Sequence, residues 1–115
     1  MLSEGTILKL AKKAILPISV FKEIKFRHAA IVFKGGAVLS VASNCNVKHA
    51  EVAALNKLWP SKRIGTTVLS VRIKKNGKIG IASPCHKCLA FMRESKVKKV
   101  IYSDRCGFFH IMRMK

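Results

Sequence analysis

The chain has 115 residues, 50% of them hydrophobic, so it is long enough to bury an apolar core as one domain. Lysine and arginine number 23 against only 5 aspartates and glutamates, which gives a net charge of +18. This balance excludes an acidic or charge-neutral surface. It favours a polyanionic partner, which such a field attracts and steers.

Membrane and secretory segments are not expected. No apolar run approaches the length of a membrane span, and the N-terminus lacks the apolar core of a secretory signal. We therefore expect a cytoplasmic protein without a membrane partner, in a reducing environment where disulfides are rare. An organelle presequence is the alternative, because residues 1–28 carry six lysines or arginines, but Glu4 and Glu23 argue against it.

The N-terminal region predicts one helix and a linker over residues 1–26, followed by a core over 27–115. Ser3 and Glu4 mark a helix start, apolar residues recur at helical spacing over 6–15, and Pro17 ends the pattern. We expect the lysines of this helix to be solvated, with a nucleic-acid contact as the alternative.

Two short strands follow, over residues 29–33 and 37–43, and Gly35-Gly36 between them is a hairpin signal. His28 precedes the first strand, where a solvated or capping role is expected. A helix is predicted over 48–58, with Pro60 as its stop. For Trp59 we expect a core or helix-end anchor, with base stacking as the less favoured reading.

The second half of the core predicts three more strands and a helix. Residues 67–73 are β-branched and apolar, which is typical of an interior strand. Asn76-Gly77 is a hairpin signal, so either this strand is long and bulged or a basic hairpin projects from it; the simpler interpretation, a solvated turn, is favoured. A helix is predicted over 85–95 with Leu89, Ala90 and Met92 facing inward. Strands over 99–103 and 108–112 are separated by too few residues for a parallel crossover, so the last must be antiparallel.

One split motif combines the residue types of a catalytic zinc site: His49-Ala50-Glu51, then Pro84-Cys85-His86-Lys87-Cys88. Catalytic zinc takes three protein ligands and keeps a fourth position for water, whose pKa it lowers to about 7. His49, Cys85 and Cys88 supply three ligands, and Glu51 is left for proton transfer. This order is that of a zinc deaminase signature. Helices starting near Lys48 and at Pro84 would bring two helix N-termini to the metal.

Simpler readings of the motif are a structural zinc knuckle or a redox cysteine pair. A structural zinc site needs a fourth protein ligand, and the four remaining candidates have no motif support: His86, His110, Cys45 and Cys106. Glu51 would also have no purpose in a purely structural site.

Over roughly residues 27–103 the chain resembles the zinc-dependent cytidine and deoxycytidylate deaminase superfamily. The resemblance implies an α/β fold with three α/β/α layers around a five-stranded mixed sheet. It implies His49, Cys85 and Cys88 as Zn²⁺ ligands and Glu51 as the proton shuttle. It also implies Asn44 as a substrate contact. Further candidate contacts beside the ligands are Ala50, Ser83, Pro84 and His86, although for His86 an exposed imidazole on a first turn is the favoured interpretation. The antiparallel last strand is similar to the cytidine deaminase branch, which points to cytosine.

The function implied by this resemblance is zinc-dependent deamination of cytosine to uracil. We expect the cytosine to lie in single-stranded DNA or RNA, because counterion release makes many cations productive only on a long polyanion. The candidate contacts are Lys62, Arg63, Lys74, Lys75 and Lys78. Free cytidine or deoxycytidylate is the first alternative, and a catalytically inactive zinc-containing nucleic-acid-binding module is the second. Superfamily members often self-associate, so a homo-oligomer is also expected.

Overall fold

The first two strands form the hairpin that the glycine pair predicts. The computed structural model describes residues 27–43, 49–73, 79–104, 106 and 108–114. Strands β1 (Arg27–Lys34) and β2 (Ala37–Ser43) pair antiparallel. Gly35 and Gly36 between them have φ of 57° and 86°, the two positive values that a primed two-residue turn requires. The predicted hairpin is therefore confirmed.

Three further long strands complete a mixed sheet. They are β3 (Thr67–Ile73), β5 (Lys99–Ser103) and β6 (Phe109–Arg113), and the sheet order is β2-β1-β3-β5-β6. β3 pairs antiparallel with β1 and parallel with β5. β6 returns antiparallel to β5, as the short connection between them predicts. The α/β class and the five-stranded mixed sheet are thus confirmed.

A sixth, two-residue strand is attached to β3. This strand, β4 (Ile79–Gly80), pairs antiparallel with Ile73 and Arg72. The chain therefore reverses after β3, as the hairpin alternative requires. The residues that would form the turn, 74–78, lie outside the described residues.

Within the described ranges, three helices lie between the strands: α1 (Ala50–Asn56), α2 (Pro60–Arg63) and α3 (His86–Glu94). Cys85 is the N-cap of α3, so the prediction that Pro84 begins this helix is wrong by two residues. Pro60 does not stop a helix but begins α2, where its missing N–H costs nothing. Trp59 is the N-cap of α2 and is 80% exposed, so the core alternative for it is wrong.

The hydrophobic core lies between the sheet and helices α1 and α3, which contact each other. Leu55 of α1 and Met92 of α3 are fully buried there with Val68 and Val100 of the sheet. Ala90 of α3, predicted to face inward, is exposed. On the opposite face of the sheet, strand residues are equally buried: Ala29, Ile31, Leu69 and Ile101. Both faces are therefore covered, as a three-layer arrangement requires.

The predicted N-terminal helix and linker, residues 1–26, lie outside the described residues, so the single-domain division stays a prediction. Among the residues that are described, no helix has both the length and the apolar character needed to cross a membrane. The cytoplasmic location and the homo-oligomer stay predictions as well.

Replacing Leu55 by Ala should lower the free energy of unfolding by about 2–5 kcal/mol, because a buried leucine is exchanged for a cavity. Asn56→Ala is the matched control, since Asn56 follows on the same helix and is exposed. It should change the free energy of unfolding by less than about 0.5 kcal/mol. Urea unfolding of both zinc-loaded variants measures the difference, and equal values would contradict the packing of α1 on the sheet.

Candidate metal and active site

Three potential ligand atoms converge where the first turns of α1 and α3 meet. His49 is the N-cap of α1, Cys85 is the N-cap of α3, and Cys88 lies in the first turn of α3. Nδ1 of His49 lies 3.5 Å from Sγ of Cys85 and 3.1 Å from Sγ of Cys88. The two sulfurs are 3.4 Å apart. The predicted half-motifs are thus brought together.

The spacing of these atoms fits zinc. With Zn–S near 2.3 Å and Zn–N near 2.0–2.1 Å, the corners of a tetrahedron lie about 3.5–3.8 Å apart. The observed separations of 3.1–3.5 Å are somewhat shorter, so the three side chains need to move apart only by a few tenths of an ångström, about 0.4 Å, to hold the ion. Among the described residues the cluster holds these three side chains and no fourth His, Cys, Asp or Glu. The cluster could therefore hold a metal ion, and its donors match a three-ligand zinc set in type and number.

The chemistry of the donors also suits a dication. Burial acts to raise the pKa of Cys85, but the backbone N–H groups of Cys88 and Lys87 at the start of α3 outweigh it and hold the pKa below its usual value. Burial and the negative charge of Glu51 raise the pKa of Cys88 far above its usual value. A dication beside the Cys88 sulfur would offset both effects and favour its thiolate form.

Glu51 lies beside the cluster and is only 1% exposed. Its Oε1 is 2.9 Å from Nε2 of His28. Its Oε2 is buried and has no hydrogen-bond partner among the described residues. Burial acts to raise the pKa of Glu51, but the hydrogen bond and the charge of His28 outweigh it, so the pKa lies below its ordinary value. An unpaired buried carboxylate oxygen next to a metal site is suited to accept a proton from bound water.

Sequence reasoning missed the polar residues of the sheet that lie beside Glu51. His28, expected to be solvated or capping before the first strand, lies inside β1 and contacts Glu51, so that expectation is wrong. Ser70 and Arg72 of β3 were not singled out, although their polar side chains stand at alternate positions in an otherwise apolar strand. That alternation places both on one face of the sheet and was the available signal.

A cavity of about 380 Å³ opens beside the cluster. Its lining comprises His28, His49, Glu51, Arg72, Ile81, Ala82, Ser83 and Cys85. Of the predicted substrate contacts, Ser83 lines this cavity. Ala50 and Pro84 are buried without lining it, and His86 is exposed outside it. Asn44 lies outside the described residues, so its role stays a prediction.

Two of the predicted nucleic-acid contacts, Lys62 and Arg63, do not line this cavity. Lys62 and Arg63 lie in α2, ahead of the first residue of β3, whereas Ser70 at the middle of β3 contacts Glu51 and Arg72 near its last residue lines the cavity. Five residues of a strand span about 17 Å, so α2 lies towards the other end of the sheet from Arg72. Arg63 also donates to the carbonyl of Leu58 and stacks over a phenylalanine ring. Three other candidates, Lys74, Lys75 and Lys78, lie outside the described residues.

Comparisons with known proteins agree with this geometry. The model of one protein family, described as the cytidine and deoxycytidylate deaminase zinc-binding region, matches residues 5–104. The chain is also similar to a solved structure, the dCMP deaminase from the cyanophage S-TIM5 in apo form. The two share 25% sequence identity and a TM-score of 0.56, and the match covers 90% of this chain and 86% of that one. A search of curated proteins finds no match.

Replacing Cys88 by Ser should lower zinc affinity by more than about 100-fold, because changes that only surround a metal ligand already cost about 10–100-fold. Cys106→Ser is the matched control, since Cys106 is exposed and lies outside the cluster. It should retain one zinc per chain. Zinc analysis after dialysis, together with thermal unfolding, checks both variants. Equal zinc contents would show that Cys88 is not a ligand.

Proposed function

We propose that this chain, which belongs to the cytidine and deoxycytidylate deaminase zinc-binding family, is an enzyme that hydrolytically deaminates cytosine to uracil in a nucleic-acid strand. One observation carries the enzymatic part of this proposal. Three potential zinc ligands lie beside a buried carboxylate whose second oxygen has no hydrogen-bond partner within the described part of the chain. A purely structural zinc site would have a fourth protein ligand and no use for that carboxylate.

The reaction adds water to C4 of cytosine and releases ammonia. His49, Cys85 and Cys88 would hold the zinc ion, which when bound would supply the Lewis acid that activates water at neutral pH. Oε2 of Glu51 accepts a proton from the attacking water and delivers it to N3 of the ring. The same carboxylate then carries the second proton to the amino group, which leaves as ammonia while the C4 carbonyl forms. Glu51 thus both removes and returns protons.

A polynucleotide substrate is supported by charge. The 23 basic residues exceed the 5 acidic ones by far more than the phosphate of a single nucleotide can use. Each phosphate that a lysine or arginine neutralises releases counterions, so many dispersed cations contribute only on a long polyanion. Lys62 in α2 is exposed and does not line the cavity. We expect a strand that extends beyond the active site to contact it.

Free deoxycytidylate is the second candidate substrate. It is favoured by the similarity to the cyanophage protein, a dCMP deaminase. Arg72 would serve either substrate, because no other lysine or arginine of the described residues lines the cavity. A guanidinium next to the reacting base is suited to bind the phosphate that a nucleotide carries and a nucleoside lacks.

A substrate panel tests the proposal. Single-stranded DNA and RNA with one cytosine, dCMP and cytidine should be incubated with zinc-loaded protein and assayed for uracil. We expect the strands to react best, with binding that weakens linearly on a plot of log affinity against log salt. Glu51→Gln should keep its zinc and lose about 10²–10⁴-fold in turnover. Glu94→Gln, on the exposed end of α3, is the control and should remain active.

Each outcome of the panel has a consequence. Turnover of dCMP alone, with no salt-dependent strand binding, would replace the polynucleotide by the free nucleotide. Strand binding without turnover of any substrate would indicate an inactive binding module. An active Glu51→Gln variant would remove the proposed proton shuttle.

Arg72→Ala should lower kcat/KM by about 10- to 100-fold for a phosphate-bearing substrate, as expected when a hydrogen bond to a charged group is lost. For cytidine, the same variant should stay within about threefold of the wild type. Arg93→Ala is the matched control, because Arg93 is exposed in the last turn of α3. Equal losses on nucleotide and nucleoside would show that Arg72 does not read the phosphate.

A further inference from the structure

We infer that His28 is a positioning residue that fixes the orientation of the Glu51 carboxylate, an inference that rests on the proposed deaminase function. Nε2 of His28 lies 2.9 Å from Oε1 of Glu51. The histidine side chain is 19% exposed and the glutamate side chain 1%, so the contact is largely shielded from water. A hydrogen bond to a carboxylate is among the stronger ones in proteins, and shielding strengthens it further.

The hydrogen bonds of Ser70 indicate which ring nitrogen of His28 carries the proton. Oγ of Ser70 lies 3.0 Å from the carbonyl oxygen of Ala82 and 3.4 Å from Oε1 of Glu51, and it also contacts Nε2 of His28. A hydroxyl has one proton to donate, and the carbonyl of Ala82 is the nearer acceptor. The proton in the hydrogen bonds that join His28 to Ser70 and Glu51 must then be carried by Nε2. Nε2–H therefore donates towards Glu51 and Ser70.

The sheet places His28 and Ser70 next to the first turn of α1, which carries Glu51. In the antiparallel register of β1 with β3, His28 lies opposite Arg72 and Ala30 lies opposite Ser70. Side chains two residues apart on a strand share a face, so His28 and Ser70 are diagonal neighbours on the face that Glu51 contacts. Their spacing is fixed by the backbone ladder. The donor is thus held by rigid elements and not by a loop.

The two oxygens of Glu51 consequently differ. Oε1 is engaged by His28 and lies near Ser70, whereas Oε2 is buried with no hydrogen-bond partner among the described residues. Rotating the carboxylate to exchange the two oxygens would break the bond to His28 inside a buried site. His28 therefore keeps Oε1 in place and leaves Oε2 available for proton transfer. The shuttle is preorganised before substrate binds.

Two substitutions at position 28 separate this role from packing. His28→Gln keeps an N–H donor three bonds from Cβ, as Nε2 is, whereas His28→Asn places it one bond short. We expect His28→Asn to lower kcat by about 10–100-fold with KM within about threefold, because a small misplacement of a catalytic group costs this much. His28→Gln should recover kcat to within about fivefold of the wild type. Both should bind one zinc per chain.

The inference is overturned if His28→Asn keeps kcat within twofold of the wild type, or if His28→Gln is as slow as His28→Asn. A second measurement does not need activity. Urea unfolding of zinc-loaded wild type, His28→Asn, Glu51→Gln and the double variant should show a coupling of about threefold or more in the folding equilibrium constant. A wild type that deaminates nothing defeats the proposed function, and this cycle then decides the contact by itself: additive effects overturn it.

Discussion

The site depends on the packing that brings the first turns of α1 and α3 together. Leu55 of α1 and Met92 of α3 are buried in one core against the same strands. A slip of either helix by one residue moves its side chains about 1.5 Å along the axis and about 100° around it. Ligand atoms that now lie 3.1–3.5 Å apart would then separate. The arrangement of the ligand atoms is therefore a consequence of the apolar core. Zinc, when bound, would in turn stabilise the folded core.

Features encoded by neighbouring residues could be predicted from the sequence. Strand β3 has the predicted bounds because its β-branched residues favour a strand, and Gly35-Gly36 supplies the positive φ values that set the first hairpin. The antiparallel return of β6 follows from the length of one short connection. The candidate metal ligands could be recognised from the sequence because the spacing within each half of the motif is local. They are His49, Cys85 and Cys88.

Features that depend on which strand lies beside which could not be predicted in the same way. The sequence predicts that His28 precedes the first strand, whereas it lies in β1 and contacts Glu51 of α1. The register of β1 and β3 places Ser70 beside it. The N-cap of α3 was missed by two residues because Pro84 suits a first turn, yet Cys85 takes the cap and turns its sulfur towards His49. Trp59 has the size of a core residue, but its position before α2 leaves it exposed.

The basic residues of α2 and the reactive groups of the cavity act over different distances. Lys62 and Arg63 do not line the cavity that holds His28 and Glu51, so under the proposed function their field acts on a polyanion at long range and is weakened by salt. Within the cavity, by contrast, His28 and Glu51 interact at 2.9 Å in a shielded site, where salt screens little. Under the proposed function, ionic strength therefore acts on the encounter with the strand. The proton transfer at C4 and N3 depends on the short-range geometry that the sheet and two helices hold.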